Sequence, residues 1–165
     1  MKKHPELDEP NARLRDLIEE IDFCMLTTAE ADGALHSRPM STQEMDDDGC
    51  LWFFTSLDTN KVREIRADQH VNVAYAMPKK MRYVSVEGTA EIVRDEAKNR
   101  ELWKPVYKTW FPDGLDDPNL ALLKVHVHEA EFWDDSSNGM VKLFKFAKAL
   151  ATGSSYEAEH GKISP

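Results

Sequence analysis

The chain has 165 residues, 41% of them hydrophobic, and a net charge of −9. That length suits one domain with a real core, burying about 70% of its unfolded surface. The acidic balance argues against nucleic acid and anionic membranes as partners. No run reaches transmembrane length, and the polar N-terminus has no signal-type apolar stretch, so a cytoplasmic protein is expected.

Asp8 and Pro10 mark a helix start, and Leu14, Leu17, Ile18 and Ile21 then fall at i, i+3, i+4, i+7 on one helix face. Residues 23–28 read as a strand. Asp32-Gly33 is a hairpin signal, with residues 35–42 returning as the partner strand. Asp46 to Gly49 makes a second turn before an aromatic strand at 50–55. A short helix over 59–67 turns Val62 and Ile65 inward, and Val71, Val73 and Tyr75 alternate as a fourth strand. A long strand follows at 83–93, where Gly88 predicts a bulge or bend. Residues 95–107 read as a helix, and 120–133 contain the last strand.

The C-terminal part differs. Met140, Leu143, Phe144, Ala147 and Leu150 predict an amphipathic helix over about 139–151, docked on the body, with Lys142, Lys145 and Lys148 on its solvated side. The domain is placed at 1–153. The Gly/Ser/Glu-rich remainder, 154–165, reads as a disordered tail. Hairpin-linked strands without βαβ alternation or GxGxxG predict an antiparallel barrel with peripheral helices.

Cys24 and Cys50 sit in apolar runs and read as buried thiols, since no CxxC spacing supports zinc. His126 and His128 share a strand face, but no further ligands are evident, so no metal site is assigned. No nucleophile elbow is present. The chemically suggestive residues are Arg38-Pro39-Met40, Phe53 to Ser56, and Thr59-Asn60-Lys61. A guanidinium fork, hydroxyls, an ammonium and a helix start are the parts of a phosphate site. In an acidic chain they point to one small phosphorylated ligand. The opposing reading is a surface arginine paired with a carboxylate and an ordinary helix cap.

These segments, with Trp52 to Thr55, Tyr83 to Gly88 and Glu131-Phe132-Trp133, resemble in order and spacing the pyridoxamine 5′-phosphate oxidase-like flavoproteins. The general stress protein branch of FMN-binding split barrels is the most similar, through Leu102-Trp103, Phe111 to Gly114, Asp117-Pro118 and Ala147 to Gly153. The resemblance covers about residues 10–153. It implies a six-stranded antiparallel split barrel that forms a homodimer with FMN, or FAD, at the interface.

Carried over by position, Arg38 and Lys61 would hold the phosphate, with help from Thr59 or Asn60. Pro39, Met40 and Ser41 would lie along the ring edge, and Phe54 and Thr55 at the ring. Tyr83 stands where the oxidases have Gln, and Trp133 would come from the partner subunit. Gln43 replaces a substrate-binding Lys, Asn60 replaces an Arg, and no Arg-His-Arg motif follows, so vitamin B6 oxidation is not expected.

The implied function is a flavin-dependent oxidoreductase acting on an unidentified small molecule. Its catalytic residues are not assigned, and Tyr83 and His36 are the acid–base candidates. The rival readings are a flavin carrier or sensor without turnover, and the same barrel holding haem, FAD or a deazaflavin.

Overall fold

The computed structural model describes residues 10–135, 139–155 and 159–165, with the side chains of 139–144 left out. The helices are α1 (Pro10–Ile18), α2 (Asn60–Ala67), α3 (Glu96–Leu102) and α4 (Gly139–Thr152). The strands are β1 (Cys24–Ala29), β2 (Leu35–Met40), β3 (Glu44–Met45), β4 (Cys50–Ser56), β5 (His70–Met77), β6 (Arg82–Val93), β7 (Leu120–Asp134) and β8 (Glu159–Ile163). They form one eight-stranded sheet in the order β2-β1-β5-β6-β7-β4-β3, with β8 also on β7. All the pairs are antiparallel.

The sheet is open, with β2 and β3 at its two edges, and its architecture is that of a split barrel. The six longer strands are those read from the sequence; β3 and β8 are additions. β7 binds the halves together, because β4 pairs its first half and β8 its second while β6 runs along both. The expected bulge lies in β6, where the register shifts between Glu87 and Gly88. A Cβ on Gly88 would stand 2.3 Å from the His126 carbonyl oxygen, so only glycine lets the strands approach this closely.

Alternation fixes which side chains go inside. Leu26, Val73, Val86 and Ala130 line one cross-strand row and are fully buried. Leu14 and Leu17 of α1 and Ile65 of α2 pack into the same core, as their helical spacing predicts. Cys24 and Cys50 are buried free thiols.

Three expectations are corrected. The helix expected over 95–107 stops at Leu102. Pro105 restricts Lys104 to extended backbone, and the chain resumes as a 3-10 turn over Pro105–Thr109. The tail expected to be disordered contains β8, where Ile163 joins the core and Gly161 lies under the Phe132 ring. Lastly, Ala147 and Leu150 of α4 are exposed rather than docked. Met140, Leu143 and Phe144 of the same predicted stripe lie outside the described side chains. No helix among the described residues is long and apolar enough to cross a membrane.

Candidate functional site

Arg38 lies opposite Leu26 on β2, and His36 and Met40 share its face. Pro39, which cannot donate to a ladder, is tolerated because β2 is an edge strand. The guanidinium donates from Nη1 to Thr28 Oγ1 (2.5 Å) and from Nη2 to Glu64 Oε2 (2.9 Å). Thr28 in turn makes a short hydrogen bond to the same Glu64 oxygen. Glu64 comes from α2 and is only 8% exposed. Its other oxygen lies 3.2 Å from His36 Nδ1, which also stands 3.4 Å from Glu30 Oε1. Burial pushes the Glu64 carboxyl up, but hydrogen bonds from Thr28, His36 and Arg38 outweigh it and hold it below the ordinary carboxylate value.

Lys61 stands in the first turn of α2. Its ammonium donates to Thr55 Oγ1 (3.0 Å) and Thr59 Oγ1 (3.4 Å). Among the described residues it has no carboxylate within 4.0 Å. Burial, then the Arg38 charge, lower its proton affinity below the usual lysine value, against a smaller opposite effect of Asp58. The fold therefore holds two cations close enough to repel each other, one of them with only hydroxyl partners. Such a pair favours an anion between them. The Asn60 and Lys61 amides are first-turn donors of α2.

The remaining candidates are dispersed. Met40 is buried, and its carbonyl accepts from Cys24 Sγ (3.4 Å). The Ser41 carbonyl accepts from Gln43 Nε2 (2.9 Å), and Pro39 is exposed opposite Met25. The Asn60 side chain is engaged by Arg63, and the Thr59 hydroxyl donates to the Ser56 carbonyl (2.9 Å). Phe54 faces away from the core and packs among Trp103, Tyr107 and Phe111, with ring centroids 5.5–6.3 Å from its own.

Tyr83 and Trp133 are cross-strand partners, 42% and 38% exposed, on the sheet face opposite Arg38. Trp133 stacks on His160 of β8, centroids 5.2 Å apart and rings 6° from parallel. One copy of the chain thus unites Arg38, Thr55, Thr59 and Lys61 but leaves Tyr83 and Trp133 elsewhere. A surface cavity of about 250 Å³ beside Leu57, Ile65 and Arg94 contains none of the candidate residues.

Thr28, Glu30 and Glu64 were not singled out from the sequence. Glu64 carried one usable signal: it follows Lys61 by three positions, between the inward-facing Val62 and Ile65.

A family model described as pyridoxamine 5′-phosphate oxidase like matches residues 9–157. The chain is 28% identical to protein bli-3 of Neurospora crassa over 157 residues, covering 89% of this chain and 75% of that protein. It superposes on a general stress protein 26-type structure from Jannaschia sp. CCS1 with a TM-score of 0.73 and 28% identity, covering 91% and 94% of the two chains. A general stress FMN/FAD binding protein from Xanthomonas citri gives a TM-score of 0.65 and 29% identity, covering 76% and 89%.

Proposed function

Because the chain belongs to the pyridoxamine 5′-phosphate oxidase-like family, we propose that it binds FMN and serves as a flavin-dependent oxidoreductase. The observation that carries this reading is the Lys61 ammonium, half-buried beside Arg38 and bonded, among the described residues, to hydroxyls alone. A phosphate seated there gains charge-assisted bonds from both cations and first-turn amides from α2. The residues present suit a flavin phosphate, and the FMN/FAD binding relative supports a flavin. The flavin, when bound, supplies the electron or hydride chemistry.

In this reading Arg38, Lys61, Thr59 and Asn60 hold the phosphate. Pro39, Met40 and Ser41 present backbone groups along the exposed β2 edge. Thr55 anchors Lys61 from beneath, and Phe54 stiffens the end of β4 through its aromatic cluster. Tyr83 and Trp133 face away from the Arg38 site within one chain, which favours their entry from a second copy and hence a homodimer. Gln43 and the absence of an Arg-His-Arg motif argue against a vitamin B6 phosphate as substrate.

The test is a titration of wild type and of the Arg38→Ala/Lys61→Ala variant with FMN and with riboflavin. Wild type binds FMN, and the variant loses several kcal/mol of FMN affinity, about 1.5–3 per lost charged bond, with riboflavin affinity unchanged. Equal FMN affinity in both proteins refutes the phosphate assignment. NADH or NADPH oxidation by the loaded protein then separates an oxidoreductase from a carrier.

A further inference from the structure

We propose that Glu30, His36 and Glu64 form a binding site for one first-row divalent metal cation such as Zn²⁺, a site that does not depend on the phosphate reading. The ligand atoms converge. His36 Nδ1 stands 3.2 Å from Glu64 Oε1 and 3.4 Å from Glu30 Oε1, and the three ligand atoms all lie within 4.8 Å of one another. Ligands about 2.0–2.2 Å from a tetrahedral Zn²⁺ stand roughly 3.3–3.6 Å apart. Two edges of the triangle are therefore already near coordination length. Glu30, part-exposed at its hairpin, closes the third by rotating its side chain. A ring nitrogen carries one proton or one lone pair, so by hydrogen bonding it serves only one of the two carboxylates at a time. A single cation among the three atoms serves them all.

The backbone brings these residues together. Thr28 pairs with His36 across β1 and β2, and Glu30 follows Thr28 by two positions, which returns its side chain to the same side. The turn is held by the Glu30 amide on the Ala34 carbonyl (2.8 Å) and the Gly33 amide on the Glu30 carbonyl (2.9 Å). Glu64 arrives from α2 with Oε2 taken by Thr28 and Arg38 and Oε1 turned to the imidazole. Outer contacts of this kind orient a ligating carboxylate. The Arg38 charge opposes a cation on Glu64, but two carboxylates outnumber the one guanidinium.

The donor set selects the ion. One imidazole and two carboxylates suit a first-row cation such as Zn²⁺, whereas Mg²⁺ and Ca²⁺ take six or more ligands, nearly all of them oxygen. Three protein ligands leave a fourth position for water. His126 and His128, which share a strand face, do not converge in this way. His126 bonds to Glu91 (3.0 Å) and lies against the Cys50 thiol (3.4 Å), while His128 bonds to Thr89 (3.2 Å). Among the described residues, Glu30, His36 and Glu64 are the group of three whose ligand atoms meet.

The experiment is calorimetric titration of Zn²⁺ into the untagged full-length protein as wild type, His36→Ala, Glu30→Gln and His126→Ala. Wild type takes up one Zn²⁺ per chain. His36→Ala and Glu30→Gln each weaken that uptake by about tenfold or more, and His126→Ala leaves it unchanged. Co²⁺ supplies a readout on wild type alone, since a four-coordinate site gives intense visible d–d bands and a hydrated ion gives weak ones. The expected result is intense bands that His36→Ala lacks. Wild type without stoichiometric Zn²⁺ uptake, or with only the weak bands of hydrated Co²⁺, overturns the proposal. So does uptake that His36→Ala and Glu30→Gln leave unchanged, or that His126→Ala reduces equally. FMN affinity is measured separately, so each of these failures leaves the phosphate site standing.

Discussion

Replacing Lys61 by Met separates binding from stability, because the two should move in opposite directions. Methionine keeps most of the apolar stem and removes the ammonium. Among the described residues that ammonium bonds to Thr55 and Thr59 alone, while burial and Arg38 both disfavour its charge. Its removal should therefore leave apo stability unchanged or slightly raised. With FMN bound, the same change removes a charge-assisted bond of about 1.5–3 kcal/mol, roughly a 10- to 150-fold loss of affinity.

The pH dependence gives a second signature. A lysine whose folded proton affinity is lowered binds fewer protons folded than unfolded. Apo wild type should thus gain stability as pH rises from the lowered Lys61 value toward about 10.4, and the Met variant should lack that gain. Thermal melts of apo protein across that range, with fluorescence titrations of FMN and riboflavin, read all three quantities. A fall in apo melting temperature with unchanged FMN affinity would refute the reasoning and make Lys61 a structural residue.

Gly88→Ala should lose about 2–4 kcal/mol, roughly 5–15 °C in melting temperature, since its Cβ meets backbone at 2.3 Å; an unchanged melt would show that the β6–β7 approach relaxes freely. Ile163→Asp places a charge in the core cluster and should detach β8, which also carries the ion pair from Arg13 to Glu159 at 3.1 Å. Trp133 would lose its His160 stack, so its emission should shift, whereas unaltered emission would count against β8. Both thiols should resist Ellman's reagent at pH 8 until denaturant is added. Burial pushes the Cys24 thiol up to about 11 and raises Cys50, the latter with help from Asp46; rapid native labelling would contradict this.

The sheet was legible because its signals are local. Asp32-Gly33 and the Asp46 to Gly49 turn set hairpins, Val71, Val73 and Tyr75 alternate, and Gly88 announces its bulge. β8 was not legible, since Glu159–Ile163 holds one buried apolar residue and takes its register wholly from β7. The 95–107 pattern outran its helix because Pro105 acts on the residue before it.

In the candidate site, the two cations, Arg38 and Lys61, announce themselves in the sequence. Their support does not. Glu64 looks like any charge on a solvated helix until the fold buries it against Thr28 and Arg38, and Glu30 belongs to a turn in the sequence. Tyr83 and Trp133 carry no sequence sign that they lie on the face opposite Arg38, because that depends on the pairing of β6 with β7.

The most direct test of the central claim is the visible absorption spectrum of the purified protein, followed by the mass of whatever heat denaturation releases. The account predicts a yellow protein that releases FMN and, once stripped, takes up FMN far more tightly than riboflavin. A protein that stays colourless after incubation with FMN and FAD would contradict it, leaving the split barrel without the flavin.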